Sequence, residues 1–145
     1  MRKFGVLVAA GVLFAALPSF AQTVGTCPRG GGANQPQPVR ILFDLGSSQL
    51  RPAEKPAIAQ AVKIAKDRQV YAICLIGHTD KLGDKAYNLK LARARSQAVA
   101  AEMIHAGFPG KNITIVADPE AFSGMDFGSR DASDIDRKVT IFYAR

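Results

Sequence analysis

The stretch Cys74-Leu-Ile-Gly-His-Thr-Asp80, continuing through Lys81-Leu-Gly-Asp-Lys-Ala-Tyr-Asn88 into Leu89-Lys-Leu-Ala-Arg-Ala-Arg-Ser-Gln-Ala-Val99, carries the information on which the fold turns. Val70 to Ile76 is apolar and rich in β-branched residues, and short enough for a buried strand. Gly77 ends it, and Gly83 supplies a loop residue that tolerates positive φ. Asn88 is the expected N-cap of a helix that runs to about Ala106 and stops at Gly107. A strand, a tight polar loop and a helix therefore follow one another. Asp80 falls just past the C-terminal end of the strand. Arg95 lies seven residues beyond Asn88 and on the same helix face.

One carboxylate and one guanidinium thus meet at the mouth of a βα unit, where open α/β sheets bind ligands and where a helix N-terminus favours an anion. A ligand carrying both an ammonium and a carboxylate suits such a pair, with Asp80 on the ammonium and Arg95 on the carboxylate. The alternative is that Asp80 and Arg95 bind only each other, as an ion pair that holds the loop. Spacing by itself favours that simpler pairing.

Gly77-His-Thr-Asp80, Gly83, Tyr87-Asn88, Leu91, Arg95 and Val99 together resemble the signature of the OmpA-like C-terminal domain, a peptidoglycan-associating module also found in MotB-type and Pal-type proteins. The similarity extends more loosely from Val39 to Tyr143. The resemblance implies an α+β fold, βαβαβ-loop-β, in which a mixed sheet carries its helices on one face. It also implies a site for the diaminopimelate of a wall stem peptide. Asp80 and Arg95 would hold that residue, with Asn88, Thr79, Leu82 and Arg137 in supporting positions. The chain departs from the family pattern at Asp136 and Lys138, where relatives carry Asn and Arg, and at Ala92, where Ser is familiar. Lys138 cannot reproduce a bidentate arginine, so retained but weaker or altered wall affinity is expected.

Upstream, Met1-Arg-Lys3 heads an apolar run from Phe4 to Leu17, and Ser19 and Ala21 stand where a signal peptidase reads small residues. Residues 1–21 read as a secretory signal peptide, with periplasmic localisation at the cell wall or outer membrane and no transmembrane domain after cleavage. An uncleaved anchor is the alternative. Cys27 comes too late after the apolar run for a lipoprotein. Gln22 to Pro38, rich in Gly, Pro and Gln, reads as a flexible tether, and 39–145 as one domain with a single core. The formal charge of +7 falls to +5 once Arg2 and Lys3 are removed, which suits an anionic envelope. A chain without Trp or aromatic–basic interleaving offers little to nucleic acid. Whether Cys27 and Cys74 form a disulfide is open, and Cys74 in an apolar strand reads somewhat better as a core residue.

Within the domain, strands are expected at Val39–Leu45, Ile113–Val116 and Val139–Tyr143, with a turn at Gly46-Ser-Ser48. A first helix from Pro52 or Ala53 to Asp67 buries Ile58, Ala61, Val62 and Ala65. The second helix is expected to pack through Ala94, Ala98, Ala101 and Met103, with Leu91 and Val99, and to expose Lys90, Arg93 and Arg95. Ala117 to Ile135 reads as a long loop. His78 and Asp80 lack a third metal ligand, Ser47 and Ser48 lack a base, and Asp80 with Asp84 reads as loop chemistry rather than a glycosidase pair. The resulting expectation is a protein without enzymatic activity or cofactor that binds peptidoglycan, with envelope proteins as further partners. The alternative is a structural or interaction subunit of an outer-membrane or secretion assembly, motivated by the unpaired-looking Cys27 and the altered 136–138 segment.

Overall fold

The computed structural model of the protein describes Cys27 and residues 35–79, 84–117 and 137–144. The expected signal peptide, most of the tether and the expected long loop lie outside the described residues. The elements run β1 (Val39–Leu42), a 3-10 turn (Pro52–Glu54), α1 (Lys55–Asp67), β2 (Ala72–Gly77), α2 (Lys85–His105), a second 3-10 turn (Gly110–Asn112), β3 (Ile113–Ala117) and β4 (Lys138–Ala144). The four strands form one mixed sheet in the order β1-β4-β2-β3. β4 runs antiparallel to both neighbours, and β2 pairs with β3 in parallel. The C-terminal ends of β1, β2 and β3 therefore share one edge of the sheet with the start of β4.

Both helices cover the same face. The first strand brings Ile41 and, just beyond its end, Phe43 to the core. α1 contributes Ile58, Ala61, Val62 and Ala65, the stripe that its helical spacing predicts, and packs them with Ile73, Leu75, Val139 and Ile141. Pro56 is tolerated because it stands in the first turn, where its missing N–H has no intrahelical acceptor. At the other end of the α1–β1 layer, Gly46 adopts φ 64° and lets Ser47 N donate to Asp44 O, closing the expected turn.

The second helix differs from its sequence reading in three ways. It begins four residues earlier, because Asp84 is the N-cap: its Oδ1 accepts from Tyr87 N at 2.7 Å. Asn88 is then a first-turn residue that donates its own N–H to Asp84 O. The buried face also differs, for Asn88, Ala92, Arg95, Ser96, Val99, Ala100 and Met103 turn inward while Ala101 is exposed. Arg95 lies on that inward face, 1% exposed, and not on the charged side with Lys90 and Arg93. A polar residue at three of the buried positions hides the seam from any apolar-periodicity reading.

Ala92 and Ser96 sit under Gly77, and this contact sets how closely α2 approaches β2. A Cβ at Gly77 would collide with the Ala92 carbonyl and lie 2.7 Å from Ser96 Oγ. Glycine is thus required here by close packing rather than by its dihedral angles. Cys27 and Cys74 are joined by a disulfide with a Cα–Cα separation of 5.8 Å, a distance such a bond spans. Cys74 is therefore both buried and bonded.

Gly77→Ala is expected to lower the unfolding free energy by about 1–3 kcal/mol or more, since a backbone carbonyl cannot swing aside as a side chain can. Urea denaturation of the two proteins measures it. A second expectation concerns Tyr143, whose hydroxyl donates to Ala61 O at 3.4 Å and whose burial pushes its pKa up to about 12. The unfolded phenol ionises first, near pH 10, so stability should fall between about pH 10 and 12 by up to about 2–3 kcal/mol. In Tyr143→Phe that part of the slope should vanish from the stability–pH curve.

Candidate functional site

The edge where the parallel strands end gathers residues far apart in sequence. β1 delivers the turn Asp44–Ser47, β2 delivers His78 and Thr79, α2 brings Asn88 and Arg95, and β4 begins beside Arg137. Backbone hydrogen bonds extend the ladders past the strands into this edge. Phe43 N donates to Arg137 O at 2.9 Å, and His78 N donates to Lys138 O at 2.8 Å. The segment entering β4 is thereby clamped between the ends of β1 and β2.

Arg95 sits at the centre of this assembly. Its Nε donates to Ser47 O at 2.9 Å, Nη2 to Asp44 O at 3.1 Å and Nη1 to His78 O at 3.1 Å. The guanidinium plane also lies 5.5 Å from the Phe43 ring centroid, within cation–π range. At least three of its five donors thus hold carbonyls of two separate loops, in the fixed directions that a planar fork sets and a rotating ammonium does not. An ion as buried as this is tolerable only when its N–H groups are so occupied. Its charge is fixed in position before any ligand arrives.

Of the residues expected at a binding site, Thr79, Asn88, Arg95 and Arg137 are brought to this one edge. Thr79 is 3% exposed and its hydroxyl has no hydrogen-bond partner among the described residues, while Asn88 is 8% exposed. Asp80 and Leu82 lie outside the described residues. The sequence reading missed Asp44 and Ser47, whose carbonyls hold Arg95, and Asp84, which starts α2. Asp84 carries a readable signal, an N-cap residue type three before Tyr87; the two carbonyls carry none, because backbone atoms are the same in every residue. Leu45, Tyr87 and Leu89 are exposed apolar side chains on the segments around the edge.

A mixed four-stranded sheet with two helices on one face, and a polar edge site organised by a buried arginine, defines a two-layer α+β domain of the OmpA-like type. Residues 42–137 match the family model described as OmpA family, and the chain belongs to that family. It is 32% identical over 76 residues to the outer-membrane lipoprotein YfiB of Pseudomonas aeruginosa, covering 52% of this chain and 45% of that one. It is 28% identical over 78 residues to a peptidoglycan-associated lipoprotein of Mesorhizobium japonicum, covering 54% and 46% respectively. The chain thus spans less than half the length of these curated relatives. Among solved structures, the peptidoglycan-associated lipoprotein of Burkholderia pseudomallei superposes with a TM-score of 0.62 at 21% identity, over 72% of this chain and 89% of that one. At that identity the likeness speaks to the fold, which it shares.

Removing the Arg95 side chain leaves the carbonyls of Asp44, Ser47 and His78 without their donor, at about 1–3 kcal/mol for each one that stays buried and unsatisfied. Arg95→Ala should therefore lose several kcal/mol of stability, and Arg95→Lys should recover only part of it. Chemical denaturation of the three proteins gives the comparison; an Arg95→Ala domain as stable as the parent contradicts the structural role.

Proposed function

We propose that this protein is a non-catalytic envelope protein that binds peptidoglycan, docking on the diaminopimelate of a stem peptide at the edge site. Membership of the OmpA family supports the reading, together with the convergence of Thr79, Asn88, Arg95 and Arg137 on one edge. Two relatives it resembles are named as peptidoglycan-associated lipoproteins, one by sequence and one by structure. In this proposal Asp80 takes the ligand ammonium and Arg95 takes its carboxylate. Thr79, Leu82, Asn88 and the positive charge of Arg137 line the approach. Residues 1–21 direct export to the periplasm and are removed, 22–38 precede the domain, and 39–145 form it.

The fixed guanidinium is the observation that carries the proposal. A side chain already locked by backbone carbonyls loses no rotamer entropy when a carboxylate arrives, so its hydrogen bonds add more directly to affinity. With Arg95 only 1% exposed, a ligand meets no more than the rim of the guanidinium, and selectivity follows from shape as much as charge. The second reading, an interaction subunit of an envelope assembly, loses one of its motives now that Cys27 has a partner.

The test measures binding of a diaminopimelate-containing stem peptide and of its lysine counterpart, which lacks the second carboxylate. The expected preference is about 10–100-fold, corresponding to the roughly 1.5–3 kcal/mol of a charge-assisted bond. Asp80→Ala should abolish co-sedimentation with sacculi while leaving the melting temperature near that of the parent. Equal affinity for the two peptides, or an Asp80→Ala protein that still pellets with sacculi, contradicts the site assignment.

A further inference from the structure

Among the described residues the second face of the sheet carries no helix, yet its centre is apolar. Side chains alternate along β2, so Ile73 and Leu75 face the helices while Cys74 and Ile76 face the opposite way. Register then places Phe142 beside Cys74, and Thr140 and Val116 beside Ile76. Leu42 extends the same face on β1. The buried residues of α1 and α2 pack on the other side, with Ile73, Leu75, Val139 and Ile141. Even so, Cys74 is 1%, Thr140 6% and Ile76 8% exposed. A sheet face of this composition requires a cover.

Cys27 identifies the cover. It lies twelve residues before Val39, and its sulfur is bonded to Cys74, whose side chain points from the middle of this face. The intervening chain is far longer than the connection needs. Twelve steps of about 3.5 Å reach roughly 40 Å, whereas β1 and β2 are two strand spacings apart across β4, about 10 Å. Nothing in chain length therefore holds Cys27 at β2; the bond does. Gln35 and Pro36, on the same segment, are half-buried.

We infer that the sheet face opposite α1 and α2 is a docking surface for the chain's own N-terminal segment at Cys27, clasped there by the disulfide to Cys74. The segment Gln22–Pro38 is then not a free tether along its whole length. Reduction returns both sulfurs to thiols and uncovers the apolar centre of that face. The clasp forms only where thiols are oxidised, so it matures with export.

The exported chain, purified without reductant, provides the test. Denatured in urea with iodoacetamide, it should gain no alkyl group, and after dithiothreitol it should gain two. Dithiothreitol becomes its cyclic disulfide as it supplies the two electrons and two protons. Native Cys27→Ser protein should then label at Cys74 with a maleimide and bind more of the dye ANS than the oxidised parent, at unchanged helix content by circular dichroism. If Cys27→Ser does not fold, mild reduction of the native parent gives the same two readouts with no substitution. Two reactive thiols in the denatured oxidised protein overturn the clasp. So do an inert Cys74 and unchanged ANS fluorescence once the bond is absent, since the face is then covered without it.

Discussion

One buried guanidinium holds the working edge of this domain together. Arg95 reaches from the middle of α2 to carbonyls at Asp44, Ser47 and His78, and so joins the loop after β1 to the loop after β2. Carbonyl oxygens at strand ends have lost their ladder partners, and an arginine is the side chain that can satisfy three at once in fixed directions. The Phe43 ring packs beside it within cation–π range. A residue that the family resemblance marked as a ligand-gripping cation is thus first a structural one. If it also meets a carboxylate, it does so with its geometry already set.

The reach of Arg95 depends in turn on how near α2 lies to β2. Gly77 permits that approach by presenting no side chain to Ala92 and Ser96. The same strand then continues into His78 and Thr79, so the position of the helix and the position of the loop are fixed by one contact. Asp84 caps α2 immediately beyond and starts it four residues before Asn88. This extra turn leaves Asn88 inside the helix, on the side shared with Arg95, where its side chain is buried rather than capping.

β4 completes the edge from the other direction. It enters the sheet between β1 and β2, and its first residues bond to Phe43 and His78. Arg137 is therefore at the edge because of sheet order, whatever its neighbours in sequence. Its sequence neighbours are Asp136 and Lys138, and Lys138 O accepts from His78 N. The disulfide adds a connection on the opposite side of the same central strand, so β2 is held on one face by helix packing and on the other by a covalent bond.

The sequence by itself determined the elements whose signals are local. The α1 stripe of Ile58, Ala61, Val62 and Ala65, the turn at Gly46, the four strands and the stop at Gly107 all follow from periodicity and residue type within a few positions. The motif Gly77 to Arg95 was enough to name the family and to gather the residues of one edge. Tertiary structure alone decided the rest. α2 buries Asn88, Arg95 and Ser96, and polar residues on an inward face cancel the apolar period that would have revealed it. The partners of Arg95 are backbone carbonyls, which leave no trace in residue identity. The pairing of Cys27 with Cys74 depends on which face of β2 lies away from α1 and α2, and that is a property of the layers, not of the strand.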